Sequence, residues 1–188
     1  NEIKSIINWY PFENLSFDKK ASETYKINAN WALYCENYLE GFHIAYVHKG
    51  LSSDIESQSY ETILLEHGVL QMAKSKHKND SIGGNGIING IPSNQIYALY
   101  FWLFPNIMLN IYKWGISINI IEPISIDKTR IRFISLPLKG LKQSHGKNNS
   151  IDQIEAEDQK IVLSVQKGIK SIFYNKGRYS AKYEKGTH

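Results

Sequence analysis

The chain is predicted to fold as an α+β domain in which a twisted antiparallel sheet packs on a long C-terminal helix. Three observations lead there. Four runs rich in β-branched and aromatic residues, at 96–104, 107–112, 116–122 and 129–138, follow one another at hairpin distances, with Pro105-Asn106, Trp114-Gly115 and Asp127-Lys128 between them. An apolar stripe of helical period precedes them at 31–43, and a second follows at 153–173. No internal repeat or linker-like stretch divides the 188 residues, which are enough for one domain with a sizeable core.

Taken in order, residues 1–20 carry Trp9, Tyr10, Phe12 and Phe17 without periodicity and read as a lead-in with at most a short strand. Residues 23–29 alternate weakly and read as a strand entering a turn at Asn28-Ala29-Asn30. Trp31, Cys35, Tyr38, Leu39 and Phe42 then fall on one side of a helix over 31–43. Residues 60–65 and 69–74 are strand-like, with a hairpin turn at His67-Gly68. Residues 76–94 are polar and contain Gly83, Gly84, Gly86 and Gly90, but the spacing is wrong for a dinucleotide fingerprint and Pro92 falls where a helix should start. A loop is expected there, with a lid over a site as the sharper alternative. After the four strands, 139–149 reads as a second polar loop, 153–173 as the second helix, and the tail from Asn175 as irregular.

Composition narrows the function classes. Hydrophobic residues at 42% and charged residues at 21% describe a soluble globular chain, and no apolar run approaches the roughly 20 residues a membrane span needs. No secretory leader pattern opens the chain. The single cysteine, Cys35, leaves no internal disulfide and no cysteine-ligated cluster held by this chain alone, so a reducing, cytoplasmic setting is expected. The net charge of +4 comes mostly from scattered lysines. A nucleic-acid footprint would need them clustered on one face, so neither nucleic acid nor membrane is expected as a partner.

The chemistry sits in Glu36-Asn37-Tyr38-Leu39-Glu40-Gly41-Phe42-His43-Ile44-Ala45-Tyr46-Val47-His48. Neutral imidazoles close together are the commonest transition-metal ligands. At about 100° per residue, Glu36, Glu40 and His43 share one helical stripe, whereas His48 lies roughly 140° from His43. Both histidines reach one ion only if the helix bends or ends between them. Gly41 weakens it and Gly50 closes the segment. In the second helix Ile154, Ile161, Val165, Ile169 and Ile172 share a face with Asp158 near its centre and Glu155 and Glu157 toward its edges. An aspartate on a core-facing stripe is costly unless a cation or strong donors satisfy it. Two histidines and one carboxylate with open positions form the facial triad of non-haem Fe(II) oxygenases. The spacing leaves zinc open, although the two-histidine helix pattern of zinc hydrolases is absent. The ordinary alternatives are an incidental histidine pair, a salt-bridged Asp158 and a solvated Glu40.

Asn30-Trp31-Ala32-Leu33, the run Glu36 to His43 and then His48 resemble the catalytic-domain signature of Rieske-type non-haem iron oxygenase (ring-hydroxylating oxygenase) α subunits. Phe104-Pro105-Asn106-Ile107-Met108-Leu109-Asn110 with Trp114-Gly115 resembles the family's central strands. Glu157-Asp158 with Val165-Gln166-Lys167-Gly168 resembles its ligand helix, and Gly177-Arg178-Tyr179-Ser180 with Glu184 and Gly186 its tail. The resemblance implies that His43, His48 and Asp158 ligate a mononuclear Fe(II). It implies that Glu40 bridges toward a Rieske cluster in a neighbouring subunit, and that Asn37 is an amide near the iron. It implies a helix-grip (START-like, SRPBCC) catalytic domain, usually in a homotrimer. The implied activity is mono- or dioxygenation, in which O2 is activated to hydroxylate an aromatic compound or a quaternary ammonium such as choline, betaine or carnitine. Electrons would come from a ferredoxin or flavin reductase linked to NAD(P)H. The chain looks nearer the choline, betaine and carnitine branch than the naphthalene branch. It lacks the paired Cys-x-His and Cys-x-x-His ligands of the Rieske domain. Residues 1–188 are therefore expected to be a single catalytic domain, with the [2Fe–2S] cluster on a missing domain or a partner chain. Trp102, Phe104, Tyr112 and Trp114 are candidates for the walls of the substrate space, with core packing as the ordinary alternative and the expected one for most of them. The rival reading is a non-catalytic helix-grip module binding an apolar or aromatic ligand, which would have no reason to set Asp158 opposite two histidines.

Overall fold

A computed structural model describes residues 2–141 and 151–188. Its centre is a seven-stranded antiparallel sheet. The strands are β1 (Asp18–Ile27), β2 (Glu61–Leu65), β3 (Gly68–Lys74), β6 (Ile96–Leu103), β7 (Ile107–Tyr112), β8 (Gly115–Ser125) and β9 (Lys128–Pro137), in the order β1-β9-β8-β7-β6-β3-β2. A separate two-stranded hairpin joins β4 (Ile87–Ile88) to β5 (Ile91–Pro92). The helices are α1 (Glu2–Ile7), α2 (Trp31–Tyr38), α3 (Ile44–Val47), α4 (Lys49–Asp54) and α5 (Ile151–Gly168). The molecule is thus α+β, with a large antiparallel sheet and a C-terminal helix.

Side chains on a strand alternate between the two faces of the sheet. Leu70 and Met72 on β3, Leu99 and Phe101 on β6, Ile111 on β7 and Ile116 on β8 share one apolar face, almost all fully buried. Ile7, Tyr10, Ile82 and Ile88 cover it. The residues between them, including Val69, Trp102 and Met108, turn to the opposite face and meet Tyr34 and Cys35 from α2, Leu39 just beyond its end, and Val162 from α5. Register locks this arrangement: Tyr100 lies opposite Asn110, and Trp102 opposite Met108. A slip by one residue would exchange the two faces.

The strands follow the predicted runs closely; the connections do not. The lead-in contains α1 rather than a short strand. The first hairpin turns at Glu66-His67, and Gly68 already belongs to β3, where a Cβ would collide with the Trp102 carbonyl. The glycine-rich stretch at 76–94 is not a lid over the site: Ile82 and Ile88 pack on the far face of the sheet. Its glycines make room for Trp9, because a Cβ on Gly84 or Gly86 would strike the indole ring. The helix expected over 31–43 stops at Tyr38. Of the loop expected at 139–149, residues 142–149 lie outside the described residues.

The last helix also departs from its predicted face and length. It ends at Gly168, and Ile172 beyond it is 92% exposed. Val165 is exposed, whereas Val162 and Gln166 are buried. The buried face is turned toward polar residues because those have partners: Gln166 Oε1 accepts the Asn30 backbone N–H at 2.7 Å, at the start of α2. A stripe drawn through apolar residues alone therefore selects the neighbouring line. Val162→Ala is expected to cost about 1–3 kcal/mol in urea unfolding, and Val165→Ala to stay within about 0.5 kcal/mol. Equal losses would contradict the observed orientation.

Candidate metal centre

The two histidines converge because the helix carrying the first motif breaks. The Asn30 side chain caps α2 by accepting the Ala32 N–H at 2.9 Å. At the other end Glu40 folds back. Its Oε2 accepts the backbone N–H groups of Phe42 and His43, and its Oε1 meets His43 Nδ1 at 2.5 Å. These side-chain bonds replace the helical ladder. Gly41 makes the turn possible where a Cβ would run into the Tyr60 ring. The single turn of α3 then separates His43 from His48, and the two rings stand 5.0 Å apart between centroids. One continuous helix would have pointed them apart.

The third group comes from α5. Asp158 Oδ1 lies 3.0 Å from His48 Nε2 and 3.6 Å from His43 Nε2. The three potential ligand atoms all lie within 4.8 Å of one another. Each imidazole is held from behind. Glu40 engages His43 Nδ1, and Glu157 Oε2 engages His48 Nδ1 at 2.8 Å. A carboxylate on Nδ1 favours the N–H there and leaves Nε2 free as a donor to a metal. Asn37 Nδ2 donates to Asp158 Oδ1 at 2.7 Å and fixes that carboxylate. Burial alone would lower the proton affinity of His48, but Asp158 and Glu157 outweigh it and hold its pKa above the usual histidine value. The site therefore favours positive charge between these acids.

A cleft of about 90 Å³ opens in front of this cluster. Tyr34, Tyr38, Tyr60, Tyr100 and Tyr112 line it together with Met108, Asn110, Asn119 and Glu155. Polar contacts fix the tyrosines: Tyr38 Oη lies 2.6 Å from Asn110 Oδ1, and Tyr60 Oη donates to Gln71 Oε1 at 3.1 Å. Burial pushes the Tyr34, Tyr38, Tyr100 and Tyr112 hydroxyls well above their usual pKa, so they remain neutral. Glu155 accepts from Tyr25 and Tyr34 at Oε2 and from Asn119 Nδ2 at Oε1. Burial, reinforced by the charge of Asp158, pushes its carboxyl above the ordinary range in spite of those donors.

All five predicted site residues, Asn37, Glu40, His43, His48 and Asp158, meet at this cluster. The four aromatic candidates for the walls divide, with Trp102 in the core as the ordinary alternative has it. Tyr112 lines the cleft, but Trp114 stacks on Tyr112 at 5.3 Å between centroids and is not part of the lining. Trp102 packs in the core near Cys35, and Phe104 is 70% exposed. Tyr34, Tyr38, Tyr60 and Tyr100 take their place. Glu157 was visible only as a helix-edge acid, and nothing in its spacing marks it as the support of His48. Tyr100 was within reach of the sequence, since it shares strand parity with Trp102.

The family described as ring hydroxylating alpha subunit (catalytic domain) matches residues 12–188. Choline monooxygenase of Arabidopsis thaliana, a chloroplastic protein, is 32% identical over 169 residues, covering 87% of this chain and 38% of the relative. The carnitine monooxygenase oxygenase subunit of Escherichia coli (strain K12) is 27% identical over 168 residues, covering 84% of this chain and 42% of the relative. The chain thus spans about two-fifths of the length of these relatives. Among solved structures, a quaternary ammonium Rieske monooxygenase superposes with a TM-score of 0.66 at 19% identity, over 93% of this chain and 48% of the other. Naphthalene 1,2-dioxygenase from Rhodococcus sp. superposes at 0.65 with 14% identity, over 92% and 48%. Both share the fold. With the match running from residue 12 to the last residue, the chain belongs to the catalytic-domain family of ring-hydroxylating oxygenase α subunits.

Proposed function

We propose that this chain is the mononuclear-iron catalytic domain of a Rieske-type oxygenase, built on the helix-grip plan and occupying residues 1–188. His43, His48 and Asp158 hold Fe(II), and their convergence is the observation that carries the reading. The residues fit the ion. Two imidazoles and one carboxylate are the donor set of non-haem Fe(II) oxygenases. The three ligand atoms already lie within 4.8 Å of one another, close enough to converge on one ion. Iron bound there supplies the activation of O2 and the oxidation of an organic substrate, an aromatic compound or a quaternary ammonium.

The chain's own part is positional. Glu40 and Glu157 orient the imidazoles, and Asn37 holds the Asp158 carboxylate. The tyrosine walls confine the substrate beside the three ligands and limit access of water. Glu40 also offers a polar link from His43 toward an external electron source. That source is a [2Fe–2S] Rieske cluster on a further domain or a partner chain, supplied in turn by a ferredoxin or flavin reductase, within a homotrimer. The proposed setting is cytoplasmic. No helix among the described residues is long and apolar enough to cross a membrane.

Iron analysis of the purified protein should find about one ion per chain, lost in His43→Ala and in Asp158→Ala. Retention of iron in either variant would place the ion elsewhere. Glu157→Gln and Asn37→Ala should keep the ligands but weaken metal binding by roughly 10–100-fold, as read by competition with a chelator. Wild-type affinity in both would remove the supporting role given to these residues.

A further inference from the structure

A single side-chain amide on the sheet bears on the helix break from both sides. A helix leaves its last carbonyls without intrahelical partners. At the end of α2 the Cys35 and Glu36 carbonyls share the Leu39 N–H. The Tyr38 carbonyl is taken instead by Gln71 Nε2, at 2.6 Å. Gln71 lies on β3 and is 1% exposed. Its Oε1 accepts the Tyr60 hydroxyl at 3.1 Å. An amide can donate to a carbonyl with one atom and accept from a hydroxyl with the other. An ionised glutamate there would have no proton to give the carbonyl, and an apolar residue would leave both partners unpaired.

Both partners act on the turn that presents His43. Tyr38 is the last residue of α2 and precedes Glu40 by two positions. The Tyr60 ring lies where a Cβ on Gly41 would fall, one residue after Glu40. The segment is thus pinned on either side of Glu40, directly at Tyr38 and through the Tyr60 ring at Gly41. Between the pins, Glu40 takes the Phe42 and His43 N–H groups and meets His43 Nδ1. His48 depends on other contacts: it follows α3, and Glu157 holds its ring from behind. Gln71 is not among the described lining residues of the cleft, so its influence on the site runs through Tyr38 and Tyr60.

We propose that Gln71 is a positioning residue for the His43 arm of the metal centre: by holding the Tyr38 carbonyl and the Tyr60 hydroxyl at once, its amide fixes the helix break that aims His43 at His48 and Asp158. This deepens the iron-site reading, on which it rests for its effect on metal binding. The two histidines are then positioned independently, His43 from the sheet through Gln71 and His48 from α5 through Glu157. Loss of the amide disturbs the first and spares the second.

The test pairs Gln71→Met, which keeps the length of the side chain and loses both bonds, with Tyr60→Phe, which loses one. In metal-free protein, nitrogen-15 NMR of the imidazoles should show the His43 ring signals shifting or broadening in Gln71→Met well beyond those of His48. Competition with a chelator should show Fe(II) held about tenfold more weakly. Adding Tyr60→Phe to Gln71→Met should change that affinity by no more than about twofold, because the hydroxyl has already lost its partner. Unmoved His43 signals, equal disturbance of both rings, wild-type iron affinity, or full additivity of the two substitutions would overturn the proposal. Should Gln71→Met fail to fold, Tyr60→Phe alone decides: a selective shift of His43 supports the proposal and an unmoved ring overturns it. Wild-type protein that binds no iron would sink the oxygenase reading, and the metal-free ring signals would still decide the role of Gln71.

Discussion

The structure turns on one long-range contact: the Asp158 carboxylate reaching from α5 to the imidazoles of His43 and His48 across more than a hundred residues of chain. It brings together groups that resist being brought together. Asp158 shares a confined space with Glu40, Glu155 and Glu157, and desolvated carboxylates repel one another. Amide, hydroxyl and imidazole donors hold each acid in place without supplying a full compensating charge. The arrangement is therefore poised for cations, and a metal ion between His43, His48 and Asp158 would answer much of that demand.

The sheet is what makes such a cluster tolerable. One face is almost wholly apolar, with Leu70, Met72, Leu99, Phe101 and Ile111 closed off by α1 and the 76–94 segment. That face supplies burial without polar obligations. The other face carries Gln71, Asn110, Ser117 and Asn119 among its hydrophobic residues, all buried. These amides and hydroxyls tie down the tyrosines, as in the Tyr38–Asn110–Ser117 chain. Stability is concentrated on one side of the sheet and chemistry on the other, and the period-two alternation of each strand serves both.

Local backbone choices then decide which groups face the cleft. Glu40 ends a helix that propensity alone would continue, by offering its carboxylate to two backbone N–H groups. Gly41 accommodates the Tyr60 ring at the same point. Without that interruption His43 and His48 would sit on different sides of one helix. The residue that engages the His43 imidazole also shapes the turn that presents it, so local structure and the candidate site are not separable here.

The sequence by itself determined the strands, their antiparallel succession, the C-terminal helix and the five polar residues at the centre. These depend on periodicity, turn residues and short motifs, all of which are local in the chain. The α1 helix escaped it because six residues carry too little periodic signal, and the true face of α5 escaped it because Gln166 is buried by virtue of a partner far away in sequence. Only the tertiary structure decided that Glu157 backs His48, that Glu155 and Asn119 close one end of the cleft, and that tyrosines rather than Trp102, Phe104 and Trp114 form its walls. Each of those outcomes depends on which side chains meet across separate elements, and that follows from packing and register, not from the spacing of residues along one segment.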